Sequence, residues 1–216
     1  MQSLSKLRGM RFPDEYVVRM FFKEGLQRGI GRVLELGCGS GNNLLLFHEF
    51  GWQVVGIDIS PASLSDAAHN LADDSDAVSL LQVDLTQGMP VLTGEFDVII
   101  LPSFNYYVPR ANFRELLTSC NKLLRKGGLY FMRSRTCEDW RYGRGREVER
   151  NGFVLECGET GEKGLLNVFY EEDELIEMIK SSIGELNHRQ ILKVRYENPQ
   201  NGIIVCNDEI VIWGRR

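Results

Sequence analysis

Val33-Leu34-Glu35-Leu36-Gly37-Cys38-Gly39-Ser40-Gly41 reads as a buried strand, then a glycine-rich turn, then the start of a helix. Glycine at every second position lets the backbone turn sharply and approach a ligand closely at the carboxyl end of the strand. The same glycines would also serve a plain strand-to-helix turn that binds nothing. A dinucleotide fingerprint, G-x-G-x-x-G, needs glycine at position 42, where Asn42 stands, so a pyrophosphate cradle is disfavoured. Glu35 points the same way, because an acid just ahead of the turn attracts an ammonium and repels a diphosphate.

Outward from this turn, β-rich runs alternate with helical patterns. Strands are predicted over 32–36, 53–57, 78–83, 96–101 and 129–132, the run at 96–101 being the most continuously apolar, as a central strand covered on both faces requires. Tyr16, Val17, Met20 and Phe21 form one face of a first helix after Phe12-Pro13-Asp14, and a short helix over 43–50 stops at Gly51. Ser60-Pro61 supplies an N-cap and a first-turn proline, followed by Leu64, Ala67, Ala68 and Leu71 at helical spacing. Pro109 opens a helix that Gly127-Gly128 ends. Five strands separated by helices imply parallel pairing through right-handed crossovers, and five are too few for a closed barrel. Beyond Met132 the pattern changes: an arginine-rich stretch over 133–150, a hairpin over 152–170 turning near Gly161 to Gly164, a helix over 171–180, and two β-rich runs over 191–196 and 203–213 that suit an antiparallel pair at the sheet edge. The expected fold is therefore α/β, a doubly wound, mostly parallel seven-stranded sheet (Rossmann-like) with an antiparallel C-terminal strand pair.

The 216 residues fit a single domain with a substantial core. It divides into an N-terminal helical segment (1–29), a cofactor-binding core (30–132), an inserted acceptor-side segment (133–170) and a C-terminal helix with the strand pair (171–216). No apolar run reaches the roughly 20 residues of a bilayer span, and residues 1–10 hold no secretory apolar stretch, which places the chain in the cytoplasm with no membrane partner. The five cysteines include no C-x-x-C pair, so reduced thiols are expected and no metal site. A net charge of -5 argues against a broad phosphate-binding face and thus against nucleic acid. Oligomeric state is not legible here.

Asp58 ends the second strand, where a carboxylate can accept both hydroxyls of a ribose. It could equally cap the helix that starts at Ser60-Pro61. Asp84 follows the third strand, where an acceptor meets the exocyclic amine of an adenine, although an acid there also suits a solvated turn. With Glu35, these give one acid at each of three consecutive strand ends, which describes a pocket for a cationic amino-acid nucleoside.

Five stretches taken in order, Glu35-Leu36-Gly37-Cys38-Gly39-Ser40-Gly41, Gly56-Ile57-Asp58-Ile59-Ser60, Gln82-Val83-Asp84-Leu85, Phe96-Asp97-Val98-Ile99-Ile100 and Leu124-Arg125-Lys126-Gly127-Gly128, resemble the class I S-adenosylmethionine-dependent methyltransferases. The resemblance is close over residues 30–132 and looser beyond. It implies that S-adenosylmethionine is the cofactor, that Glu35, Gly37, Cys38 and Gly39 sit at its methionine part, Asp58 at the ribose, Ile59 and Leu85 on the faces of adenine, Asp84 at its amine, and Leu101, Pro102 and Ser103 on the methyl side. It also implies that Leu101-Pro102-Ser103-Phe104-Asn105-Tyr106-Tyr107 forms one wall of the acceptor pocket. The Asn-Pro-Pro-Tyr signature of amino-group methyltransferases acting on bases or glutamine is absent, which lowers nucleic acid and protein amide acceptors.

The expected acceptor is a small molecule, anionic or sugar-like, bound by Asn105, Tyr106, Arg141 and Arg144. Residues 133–150 hold six arginines against four acids, so part of this segment could close over the site and present arginine to a carboxylate or phosphate; a solvated loop whose charges pair with each other explains the same composition. Tyr106, Tyr107 and His188 are weak candidates for a catalytic group, His48 and His69 are expected on helix surfaces, and a nucleophilic acceptor needs no base at all. The competing functions are a cofactor-binding module without catalysis, an NAD-dependent oxidoreductase, which Asn42 and Glu35 disfavour, and transfer of another group such as aminopropyl.

Overall fold

A computed structural model describes residues 4–71 and 76–216. Ten strands are described: β1 (Arg32–Leu36), β2 (Gln53–Asp58), β3 (Val78–Gln82), β4 (Phe96–Pro102), β5 (Leu124–Arg135), β6 (Gly145–Glu149), β7 (Gly152–Leu155), β8 (Leu166–Val168), β9 (Asn187–Gln200) and β10 (Ile203–Arg215). The helices are α1 (Glu15–Lys23), α2 (Asn42–Glu49), α3 (Pro61–Asn70), α4 (Arg110–Leu123) and α5 (Glu172–Ile183).

Seven strands form one sheet in the order β3-β2-β1-β4-β5-β10-β9, with β1 to β5 parallel and β10 antiparallel to both its neighbours. The period-2 alternation of each strand divides its side chains between the two faces. Leu34, Leu36, Val55, Ile57, Ile99, Leu101, Tyr130 and Met132 meet α4 and α5 on one side. Val33, Val54, Val98, Ile100, Leu129 and Phe131 meet α1, α2 and α3 on the other. The fold is thus doubly wound, as the sequence predicts. The chain leaves β1 toward β2 and β3, then crosses back to β4, so the strand order reverses between β1 and β4 and a crevice opens at their carboxyl ends.

Several boundaries differ from the sequence expectation. Gly127-Gly128 does not end α4: the helix stops at Leu123, β5 starts at Leu124, and Gly127, in the left-handed region at φ 76°, carries an irregularity in the β4–β5 register. The helix over 171–180 runs on to Ile183, and β9 and β10 are 14 and 13 residues long, far beyond their apolar centres, because each supplies the other's backbone partners. The arginine-rich stretch contributes β6, an edge strand of a separate sheet in the order β6-β7-β8, whose β7–β8 pair is the expected hairpin. Ala68 faces solvent while Ala67 is buried.

Gly56 of β2 shows how tightly α2 is drawn onto the sheet. A Cβ there would lie 2.7 Å from Cys38 Sγ and 2.8 Å from Leu44 Cδ1. Gly56→Ala should therefore destabilise the protein by about 1–3 kcal/mol through overpacking. Urea unfolding measures this; an unchanged midpoint would mean that α2 can move away at no cost.

Candidate functional site

A cavity of about 620 Å³ lies at the crevice between β1 and β4, within the roughly 300–1,000 Å³ common for small-molecule sites. Its floor and one wall come from the ends of β1 and β2 and the turn after β3: Gly37, Asp58, Ile59, Ser60, Asp84 and Leu85 line it. The other wall is Ser103, Phe104, Tyr107 and Val108 after β4, and Leu165 and Leu166 of the β7–β8 hairpin close over it.

The glycine turn has an unusual polarity for a nucleotide fold. Gly37, Gly39 and Gly41 all lie in the left-handed region, at φ 72°, 52° and 74°, which suits only glycine. A Cβ on Gly37 would stand 2.5 Å from the Phe104 ring, so the cavity wall itself depends on that glycine. Four amides of this turn are already used, that of Gly41 by the Cys38 carbonyl at 2.9 Å. Gly37 and Cys38 donate to the Ile57 carbonyl at 2.8 and 3.0 Å, and Gly39 donates to Asp58 Oδ2 at 2.9 Å. With these N–H groups committed, the turn has fewer donors to give a phosphate than a dinucleotide loop, and the side chains bonded to it and buried behind it include the carboxylates of Asp58 and Glu35.

Asp58 Oδ1 accepts from the Ser60 amide at 2.9 Å, and Ser60 Oγ in turn accepts from Ser63 N at the start of α3. Ser60 thus caps α3 itself, while Asp58 holds the amide of that cap residue and also lines the cavity. Asp84 accepts from the Thr86 amide at 2.9 Å and from its hydroxyl at 2.6 Å, and these bonds hold its carboxyl below the usual range. Glu35 is fully buried under α2. Its Oε1 accepts from Asn43 Nδ2 at 2.7 Å, while Oε2 has no hydrogen-bond partner among the described residues. Burial lifts this carboxyl to about 8, with Asn43 opposing and Asp14 and Asp58 adding to the rise.

Residues 8–14 run across the glycine turn. Ser40 Oγ donates to the Met10 carbonyl at 3.1 Å, Asn42 to the Phe12 carbonyl at 2.8 Å, and the Asp14 amide donates to Asn43 Oδ1 at 2.8 Å. Asn43 thereby joins Glu35 to the N-cap of α1. None of this strap is visible as a motif, because its partners are main-chain carbonyls that any residue provides.

Other expected site residues are relocated. Cys38 is buried behind the turn in the α2 face of the core, and Leu101 and Pro102 are buried in the sheet body, leaving Ser103 as the one of its trio that lines the cavity. Ser103 holds φ 56°, a strained conformation for a side chain with a Cβ. Asn105 is fully buried and donates to Ser134 Oγ at 2.7 Å, so it fastens the β4 loop to β5. Tyr106 is buried under the Arg135 guanidinium at 4.0 Å, and burial raises its phenol pKa. Tyr107 reaches the cavity with its proton committed to Glu162 Oε1 at 2.7 Å, and burial and then Tyr106 raise its phenol pKa too. His188 sits on β9 next to Asn187, which pairs with Arg215, and Arg215 pairs with Leu129 in the amino half of β5. That is the opposite sheet edge, six residues or roughly 20 Å from the Arg135 end at about 3.3 Å per residue.

Of the two arginines expected to meet an anion, Arg141 is neutralised and Arg144 lies outside the cavity lining. Arg141 is buried, with Nε donating to Glu162 Oε2 at 2.6 Å and Nη1 to Asp139 Oδ1 at 3.0 Å. Arg135 donates to Glu162 Oε1 at 2.7 Å and to Asn167. Burial alone would raise the Glu162 carboxyl, but the charge of Arg135 and its hydrogen bond outweigh that and hold it at about 2. Arg144 is exposed and stacks on Trp140 at 3.9 Å, outside the cavity lining. The inserted segment does reach the site, through Leu165 and Leu166 rather than through arginine. Apolar residues in a hairpin look like ordinary strand positions, so nothing in the sequence marked this pair.

Residues 33–128 match a family model described as a methyltransferase domain. The chain is 31% identical over 101 residues to YqeM of Bacillus subtilis, named as a methyltransferase, covering 46% of this chain and 40% of that one. It is 40% identical over 68 residues to an 18S rRNA (guanine-N(7))-methyltransferase of Schizosaccharomyces pombe, covering 32% and 24%. The chain thus spans less than half the length of these curated relatives. The structure aligns with a 1,6-didemethyltoxoflavin-N1-methyltransferase of Burkholderia thailandensis, solved with its acceptor and S-adenosylhomocysteine, at a TM-score of 0.63 and 19% identity over 93% of this chain and 76% of that one. Among the described residues no helix is long and apolar enough to cross a membrane.

Two outcomes follow. The folded protein keeps a proton on Glu35 up to about 8, whereas the unfolded chain releases it near 4.5. Between those values folding takes up a proton, so stability falls as pH rises through this window, by an amount on the order of a few kcal/mol. Urea midpoints at pH 6 and pH 9 should show a larger fall for the wild type than for Glu35→Gln, and parallel slopes would refute it. Glu162→Gln leaves Arg135 and Arg141 buried with less opposing charge and should cost about 3–5 kcal/mol, read from the same unfolding curves.

Proposed function

We propose that this chain, whose residues 33–128 belong to the methyltransferase-domain family, transfers a methyl group from S-adenosylmethionine to a small-molecule acceptor. The observation that carries this is the polarity of the site. Four amides of the glycine turn are spent inside the protein, two acids, Asp58 and Asp84, line the cavity at successive strand ends, and a third, Glu35, is buried behind the turn. Such a rim repels phosphate and suits a ligand bearing an ammonium and a sulfonium.

The residues present fit that cofactor. Glu35 Oε2, buried and without a partner, is a ready acceptor for the ammonium of the methionine part, and an approaching cation favours the ionised carboxyl that burial alone disfavours. The Gly37 turn admits the chain of the ligand because no Cβ blocks it. Asp58 keeps lone pairs free for the ribose hydroxyls beyond those its backbone donors use, Asp84 takes the adenine amine, and Ile59 and Leu85 offer apolar surface to the two faces of the ring. Ser103 stands at the methyl side. When bound, S-adenosylmethionine supplies a sulfonium methyl carbon that takes the acceptor's lone pair as the S–C pair returns to sulfur. The protein's own contribution is to hold both partners in line and to keep water away under Leu165 and Leu166.

The rRNA methyltransferase among the relatives puts a nucleic acid acceptor alongside a small molecule. The net charge of -5 and the acid-rimmed crevice favour the small molecule.

Calorimetry with S-adenosylhomocysteine tests the cofactor assignment. The product should bind, and Asp58→Ala should weaken it at least tenfold, about 1.4 kcal/mol, with circular dichroism confirming a folded variant. Wild-type protein without affinity for this nucleoside would sink the proposal.

A further inference from the structure

The acceptor end of the cavity has a chemistry distinct from its cofactor end. Beyond Ser103, its side chains are Phe104, Tyr107, Val108, Leu165 and Leu166. Two aromatic rings and three aliphatic groups make a wall suited to flat apolar surface. The buried arginines of this region do not change this. Arg135 and Arg141 share the two oxygens of Glu162, Arg141 also holds Asp139, and Arg133 is bound between Asp14 and Glu209. An anion seated against this wall would shed its water and find these three guanidiniums already paired, a cost that the five lining side chains do not offset.

The same end holds nothing suited to removing a proton. Among the described lining residues, the titratable groups are Asp58 and Asp84 at the cofactor end and Tyr107. The Tyr107 hydroxyl donates to Glu162, whose oxygens are engaged by two arginines, so this pair holds its proton arrangement fixed.

We infer, resting on the methyl-transfer reading above, that the acceptor is a planar, uncharged molecule presenting an atom whose lone pair is already free at neutral pH, such as a ring nitrogen, and not a carboxylate, a sugar phosphate or a hydroxyl. The ring nitrogen's lone pair forms the new N–C bond, the electrons of the broken S–C bond stay on sulfur, and the positive charge passes from sulfonium to ring. No proton has to leave first, which matches a wall without a base.

Three probes of similar shape separate the alternatives: quinoline, 2-naphthol and 2-naphthoate. With protein saturated by S-adenosylhomocysteine at pH 8, calorimetry should show quinoline and 2-naphthol binding at least tenfold more tightly than 2-naphthoate. With S-adenosylmethionine, methyl should pass to the quinoline nitrogen at least a hundredfold faster than to the naphthol oxygen. Leu165→Lys, at a half-exposed position, should raise 2-naphthoate affinity at least tenfold. The inference is overturned if 2-naphthoate binds wild-type protein as tightly as quinoline, if none of the three binds, or if the naphthol oxygen is methylated faster. Failure of S-adenosylhomocysteine itself to bind would instead remove the methyl-transfer reading beneath it.

Discussion

The carboxylate of Asp58 is the joint on which the site is assembled. One oxygen holds the Gly39 amide and the other the Ser60 amide, each at 2.9 Å, so a single side chain ties the turn after β1 to the helix after β2. These are charge-assisted bonds to backbone, stronger than neutral ones, and they commit the amides that a phosphate would otherwise use. The consequence is a glycine-rich loop of the general nucleotide-fold shape with inverted electrostatic preference. A carboxylate that looks like a ligand contact in the sequence is first of all the reason the loop has the conformation a ligand can use.

The sheet was legible because strand periodicity and glycine punctuation report directly on backbone geometry. β1 was predicted to the residue, and β2 to β4 to within one position of each end, since Gly37, Gly51 and Pro109 mark real turns. The glycine pair at 127–128 misled, as a left-handed glycine serves an irregular strand as well as a helix end. In the site, Gly37, Asp58, Ile59, Asp84, Leu85 and Ser103 were readable because strand ends on a doubly wound sheet converge on one crevice. Cys38, Leu101 and Pro102 were not separable from them, because strand alternation sends neighbouring side chains to opposite faces and only the three-dimensional edge decides which one emerges. His188 failed for a topological reason: an antiparallel last pair carries the start of β9 to the far side of the sheet.

The inserted segment shows the limit of charge counting. Its arginines are abundant, yet burial requires Arg135 and Arg141 to find acids, and Glu162 and Asp139 provide them. The cluster does not address the ligand; it anchors the hairpin so that Leu165 and Leu166 meet the ring of Tyr107's neighbourhood. Sequence composition records the number of charges and not their pairing, so a neutralised cluster and an anion site look alike until the fold brings residues 135, 141 and 162 together.

Arg133 of β5 reaches back to Asp14, the cap of α1, across 119 positions of chain. On a ribosome α1 therefore emerges long before this partner: the strap can meet Ser40, Asn42 and Asn43 as soon as they are made, but the ion pair on the α1 cap waits for the fifth strand. The cap of α1 thus gains its charged partner only when the central sheet is nearly complete.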